Sequence, residues 1–441
     1  MRTTRELHEP MFRQYSEHSF SEKLQKISKI LDLHPEIADW VHSDLVKGKD
    51  PRGQKGMSAE EVIRAAILKQ IQDLTYQELE FQVADSQATR AFIRVPDGVS
   101  YSDSALQSNI KRISPETWQR IQKITVIYAQ SVDFEKGRTV RVDSTVVETN
   151  TAYPIDSKLI TDCLRVASRA LHRMKHYGIK DALKFSHKKG KKLQLAILNA
   201  RGFEAKKEHY YDLVVGAGDV WRQLPLLIAK CQEKLQAEPM LSKAIAELKH
   251  IQHYLEPILA QTIARVFDEK PLAATDKIVS IFETHADIIV KGGRETEFGH
   301  KVFFTTGKSN LVIDCEVEEG NPHDSEKFID ALERVQAIYG KYPRQVTADG
   351  GFASQENVYD AHELGVKDVC FNKKVELEPE EMCKSKAVFR RLTRLRAGVE
   401  SNISALKRGY GLFRATWKGL EGFKSYVWSA VVAYNFMLLA L

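Results

Sequence analysis

The sequence predicts a mixed α/β protein: a sheet of mixed strand direction covered by helices, preceded by an all-helical region and interrupted after its first strand by a helical insertion. Three observations predict it. Residues up to about 135 read as short helices with clear start signals; a β-branched, alternating run, RTVRVDSTVV, follows Gly137; and strand and helix patterns alternate after about residue 285. The chain of 441 residues exceeds one ordinary domain, so two or three units are expected. The expected divisions are a helical region over 1–135, a first strand segment over 136–160, an insertion over 161–284 and the rest of the sheet over 285–441.

In the first region Ser58 and Glu61 make a capping box before EVIRAAILKQI, and Thr75 and Glu78 make a second. Ser114 followed by Pro115 starts a further helix, because proline at the first helical position loses no needed hydrogen bond. Several short helices in succession suit a helix-turn-helix-like DNA-binding unit, and equally any small helical bundle. From Ser157 to about Val279 the pattern is helical again, including the amphipathic VWRQLPLLIAKCQEKL. KVFFTT, a GKSN turn and LVIDCEV read as a β-hairpin. Then come a helix (SEKFIDALERVQAIYG), a strand ending in an acid (RQVTAD), a helix after GGF, a short strand (KDVCF) and a long basic helix.

A net charge of +6 with 28% charged and 43% hydrophobic residues describes a globular protein and is too mild to identify a polyanion partner. Its distribution says more. From Cys383 to Lys424 eleven Lys and Arg face only Glu400 and Glu421; from Thr161 to Lys207 thirteen face Asp162, Asp181 and Glu204. Such focusing suits a phosphate-binding surface, and also two solvated helix faces. The five cysteines are scattered and never form CxxC, which argues against a disulfide framework and a thiolate zinc site. MRTTRELHEPMFRQY lacks the apolar core of a leader. The apolar stretch Ser425 to Leu441 is short and carries Tyr426, Ser429, Tyr434 and Asn435, so a buried terminal helix is expected, in a cytoplasmic protein.

Three acids stand in places suited to metal-assisted phosphodiester chemistry, which needs oxygen ligands at strand ends and on a neighbouring helix. Asp143 interrupts the first strand, an unfavoured place for an aspartate, although an edge-strand or turn carboxylate would look the same. Asp349 closes QVTA before Gly350, Gly351 and Phe352; acids at the carboxyl ends of strands face the binding crevice, and an ordinary Asp-Gly turn is the alternative. Glu400 shares a helix face with Arg396 and Lys407 at spacings of four and seven, and a salt-bridged surface group would do so too. Asp156, Asp314 and Asp324 are rival carboxylates, the last two read as supporting or structural. His172 with His176 is read as a solvated or phosphate-facing pair rather than a metal site, and Trp417 as a packing residue, with stacking on a base the alternative. HExxH is absent.

RVDSTVVETN, TADGGF and RAGVESNISALKRGYG resemble the three signature regions of bacterial insertion-sequence DDE transposases, whose catalytic domain is RNase H-like. Arg396, Glu400 and Lys407 reproduce the family's last motif. Thr393 stands where many relatives have a tyrosine, so that tyrosine's role is not carried over. FGHKVFF, NPHDS and AYNFMLL also resemble family positions, and DSTVVETN is similar to the ISNCY-like group. The resemblance is weakest over 160–280.

It implies that Asp143, Asp349 and Glu400 are catalytic and hold two magnesium or manganese ions, for cleavage at the transposon ends and attack of the freed 3′ hydroxyl on target DNA. It also implies an end-recognising N-terminal region and Arg396 and Lys407 at the phosphate backbone. The partners implied are double-stranded DNA, as inverted repeats and target, and a second copy in a synaptic homodimer, in a nucleoid-associated location. The basic blocks add Arg408, Arg414, Lys188, Lys189, Lys191 and Lys192 as candidate DNA contacts. An RNase H-like nuclease without strand transfer, or a non-catalytic DNA-binding relic, are the alternatives.

Overall fold

The computed structural model describes residues 18–48, 56–290, 296–372 and 377–441. The opening segment MRTTRELHEPMFRQY, where the expectation about a leader falls, lies outside them. The chain divides into two units, residues 1–150 with 299–441, and residues 151–298.

The first unit begins with helices α1 (Ser19–Leu33), α2 (Glu36–Val46), α3 (Ala59–Ile71), α4 (Tyr76–Asp85), α5 (Gln87–Ile93), α6 (Asp103–Ile110) and α7 (Pro115–Ser131). The capping signals act as expected. Ser58 Oγ accepts from Glu61 N at 3.2 Å while Ser58 N donates to Glu61 Oε2 at 2.6 Å, and Thr75 with Glu78 does the same for α4. Ser114 caps α7, with Pro115 in its first turn.

Every residue of α3 is buried, charged ones included. Burial of charge is tolerable only with partners. Arg64 donates to Glu60, Asp32, Ser28 Oγ and the Phe92 carbonyl, and Arg94 joins the same two carboxylates. Lys69 lies over the Tyr76 ring at 5.0 Å, and burial pulls its pKa down to about 8. α3 is therefore the centre of the helical region and presents no face to a ligand.

The sheet follows, six strands in all: β1 (Thr139–Glu148), the short β2 (Asp287–Val290), β3 (Thr296–Gly307), β4 (Val312–Glu318), β5 (Gln345–Asp349) and β6 (Asp368–Asn372), in the order β2-β3-β1-β5-β6, with β4 also pairing β3. β3 is antiparallel to β1 and to β4, whereas β5 is parallel to β1 and β6 parallel to β5. Each parallel step requires a crossover. α12 (Phe328–Tyr339) supplies it before β5, and α13 (Gln355–Glu363) supplies it before β6. Gly299 sits opposite Glu148, where a Cβ would lie 2.0 Å from the Val147 carbonyl oxygen, so β1 and β3 can pair that far only because this residue is glycine.

α14 (Pro379–Met382) leads into α15 (Lys386–Gly409), the basic helix, and α16 (Gly419–Leu439) ends the unit. α16 is buried from Ser425 to Phe436 and shares one apolar cluster with α1, α3, α7 and β4. Asn435 reaches from it to the edge of β4, accepting from Val312 N at 3.0 Å and donating to Val312 O at 2.8 Å. This covers backbone groups that an edge strand would leave unpaired. Among the described residues no helix is long and apolar enough to cross a membrane. Mixed strand directions in this order, with helices covering the sheet, make the α/β, RNase H-like arrangement expected from the sequence, with the helical insertion after the first strand.

The second unit consists of α8 (Asp156–His176), α9 (His187–Asn199), α10 (Phe203–Lys234) and α11 (Leu241–Val266), and the chain returns through the short strand β2 (Asp287–Val290). Its core is its own. Gly216 of α10 lies against Phe185, whose ring a Cβ would meet at 2.3 Å.

Phe328 is fully buried, with ring centroids 4.9 Å from Phe371 and 6.4 Å from Phe352, the residue that ends the Asp349 turn. Phe328→Ala is expected to lower the stability of the first unit by about 3–5 kcal/mol, read as a fall in the urea midpoint of the near-ultraviolet signal.

Candidate active site

The parallel register of β1 and β5 pairs Thr139 with Gln345 and runs to Val142 with Ala348. The next residue on each strand is the acid: Asp143 and Asp349. Each carboxylate bends back on its own chain, Asp143 Oδ1 accepting from Ser144 N at 2.8 Å and Asp349 Oδ1 from Gly350 N at 2.7 Å. Two aspartates thus stand side by side in one local conformation.

The third acid arrives on α15, which Ser385 caps at its start. Arg396 Nη2 lies 3.0 Å from Asp349 Oδ1 and 3.7 Å from Glu400 Oε1, so one guanidinium joins the acid of β5 to the acid of the helix. The Arg396 side chain is only 12% exposed, against 69% for Glu400. Its buried Nε has no hydrogen-bond partner.

Among the described residues no three His, Cys, Asp or Glu side chains converge closely enough to hold a metal ion as they stand. The donor chemistry nevertheless fits a hard divalent cation: all three candidate ligands are carboxylates, one within β1 where its pairing with β5 ends, one at the end of β5 and one on α15. In this conformation a protein cation, Arg396, lies between two of them.

Asp324, a rival carboxylate in the sequence, stands beside this site. It accepts from Ser144 Oγ at 3.1 Å and pairs with Lys301 Nζ at 3.1 Å. A Cβ at Gly351 would lie 2.8 Å from its Oδ2, so the second glycine after Asp349 leaves room for it. Asp324 is thereby tied to the residues following both strand acids, with one oxygen taken by a lysine. Ser144 and Lys301 went unnoticed in the sequence; the paired glycines and the NPHDS segment were the available signals. Asp314 instead pairs with Arg334 of α12 at 2.5 Å, and Asp156 is held within the second unit by Arg265 and Gln261.

The remaining candidates separate by surroundings. Lys407 is partly buried, its Nζ 5.9 Å from the centre of the Phe413 ring, and Arg408 is exposed. Arg414 donates through Nε and Nη2 to Glu148 at the end of β1. In the second unit Lys188, Lys189, Lys191 and Lys192 are all exposed on α9, and none of their side chains has an ion-pair partner among the described residues. The His172 and His176 rings meet edge to face at 5.2 Å, and Trp417 is buried against Tyr426. Thr393 turns inward to Cys370, 3.5 Å from its sulfur. Burial raises the Cys370 thiol and pushes that of Cys383 up to about 12, which removes both from nucleophilic chemistry at neutral pH.

The RNase H-like sheet thus carries Asp143 within β1, Asp349 at the end of the adjacent parallel β5 and Glu400 on the basic helix that follows. Residues 264–436 match the family model of the transposase DDE domain. This match supports an insertion-sequence DDE transposase; Asp349 and Glu400 lie inside the matched span and Asp143 ahead of it. No curated protein and no solved structure gives a significant match to the chain.

Arg396→Gln, which leaves Asp349 and Glu400 without their shared cation, is expected to tighten Mn2+ binding to the DNA-free protein by roughly fivefold, as a cation near exposed carboxylates contributes on the order of 1 kcal/mol. Electron paramagnetic resonance of free Mn2+ reads this directly. Unchanged affinity would show that the guanidinium does not compete for the site.

Proposed function

We propose that this chain is a DNA transposase that cleaves at the ends of its element and joins the freed 3′ ends to target DNA. The observation that carries the reading is the β1–β5 register, which brings Asp143 beside Asp349 in a chain whose DDE match includes Asp349 and Glu400. Asp143, Asp349 and Glu400 would hold magnesium or manganese, two ions, which supply charge neutralisation at the attacking and leaving oxygens.

The chain's own residues do the rest. The three carboxylates create a concentrated negative site that rejects a phosphodiester until its charge is balanced. Arg396, with an unused buried Nε, has donor capacity for a phosphate oxygen once its hold on Asp349 is released, and Lys407 and Arg408 extend positive charge along the same helix. Lys188, Lys189, Lys191 and Lys192 bind duplex phosphates, the helical region over 1–135 recognises the element's ends, and two copies hold the two ends together in the nucleoid.

Purified protein with Mg2+ is expected to join an end-containing oligonucleotide to plasmid DNA. Asp349→Asn should abolish joining, by a factor of about 1,000 or more in rate, with end binding in a gel-shift assay unchanged. Undiminished joining by that variant refutes the reading, and hydrolysed ends without joined product favour a nuclease. Replacing the four α9 lysines by Gln should reduce the slope of log affinity against log salt by up to about 3.6, at about 0.9 for each phosphate that a lysine had neutralised. An unchanged slope removes α9 from the DNA interface.

A further inference from the structure

Arg141 is 1% exposed, in the middle of the sheet, and its hydrogen bonds among the described residues go to neutral acceptors. Its Nε donates to Thr306 Oγ1 at 3.1 Å, and its Nη2 to the Gly307 carbonyl at 2.7 Å and to Asn310 Oδ1 at 2.9 Å. A buried guanidinium with no direct bond to a carboxylate is costly even with the charge of Glu135 nearby, so its presence calls for a reason. Its remaining terminus, Nη1, abuts α15: a Cβ at Gly398 would lie 2.4 Å from Nη1 and 3.6 Å from Cζ. A glycine inside a helix is destabilising relative to alanine. Gly398 is one, and the close approach of Arg141 accounts for it.

The same turn grips α15 a second time. Asn402 Nδ2 donates to the Asn310 carbonyl at 3.2 Å, and Tyr434 Oη donates to that carbonyl at 3.3 Å. Gly398 and Asn402 are four residues apart and lie on one flank of the helix. Val399 and Leu406 face the core. Arg396 and Glu400, at about 100° per residue, fall on the other flank, towards Asp349. Arg141 is two residues before Asp143 and so projects from the same face of β1.

We propose that Arg141, Gly398 and Asn310 are positioning residues that fix the roll of α15 about its axis and thereby the reach of Glu400 towards Asp143 and Asp349. This rests on the reading of the three acids as metal ligands. A roll of about 20° moves a group about 6 Å from the helix axis by about 2 Å, enough to separate a bound from an unbound carboxylate. Arg141 touches no substrate and acts through the helix alone.

The test is Mn2+ affinity of the DNA-free protein by electron paramagnetic resonance, with end-DNA affinity and thermal unfolding measured alongside. Gly398→Ala is expected to weaken Mn2+ binding at least tenfold while the protein still unfolds in a single cooperative thermal transition. Adding Arg141→Lys, which deletes the Nη1 that the new methyl would strike, should recover most of that loss. Wild-type Mn2+ affinity in Gly398→Ala, or no recovery in the double variant, overturns the proposal.

If Gly398→Ala does not fold, Asn310→Gly decides. Asn310 is an exposed turn residue at φ 74°, which glycine adopts freely, and only its Oδ1 is lost to Arg141. A threefold or greater weakening is expected, and wild-type affinity overturns the proposal. Glu400→Gln separates the two levels: if it leaves Mn2+ affinity unchanged, the metal-site reading fails and this inference with it. If it weakens binding and the other variants do not, only the inference fails.

Discussion

The parallel pairing of β1 with β5 is the constraint on which the rest of the molecule depends. Val140, Val142, Val346 and Ala348 are buried, and a one-residue slip between the two strands would turn one strand's pair to the opposite face. The same register puts two carboxylates next to each other where the pairing ends. Strands that are neighbours in space but 206 residues apart in sequence must be connected around the sheet. The second unit leaves the sheet after β1, at residue 151, and the chain rejoins it on β3.

Acids brought together need cations nearby, and the surroundings supply them without placing any at full contact with all three. Arg396 bridges Asp349 and Glu400, while Lys301 neutralises Asp324 beside Ser144. Arg141 lies beneath, bonded to neutral groups. Two glycines record these approaches in the backbone: Gly351 makes room for Asp324 and Gly398 for Arg141. A Cβ at either position would meet a polar atom at less than van der Waals distance.

The helical region before β1 belongs to the same unit as the sheet, because α3 and α16 bury each other's apolar surface. A helix with no exposed residue cannot enter a DNA groove, so any end recognition falls to the outer helices. Asn435 and Gln122 complete the arrangement by meeting the backbone of Val312 on the edge strand. The last helix is thus an internal strut of the sheet, and its apolar composition reflects that position.

Element types were legible in the sequence because they follow from local chemistry: capping boxes at Ser58 and Thr75, proline after Ser114, β-branched alternation around Asp143, and glycines after Asp349. The three acids were legible as candidates for the same reason, since an aspartate in a strand and a lone glutamate in a basic helix are locally unfavourable. What the sequence could not reveal is which charges meet. Asp324 reads as a loop residue, yet lies against Ser144 and Gly351; Arg141 reads as a strand residue, yet touches a helix more than 250 positions later. Such contacts depend on how strands pair and how a helix rolls, and these are set by burial summed over the whole unit. The sequence by itself determined the strands, helices and carboxylates, because backbone propensity acts over a few residues. Only the tertiary structure decided that Arg396 stands between Asp349 and Glu400, because the order of strands in space is fixed by packing across hundreds of residues.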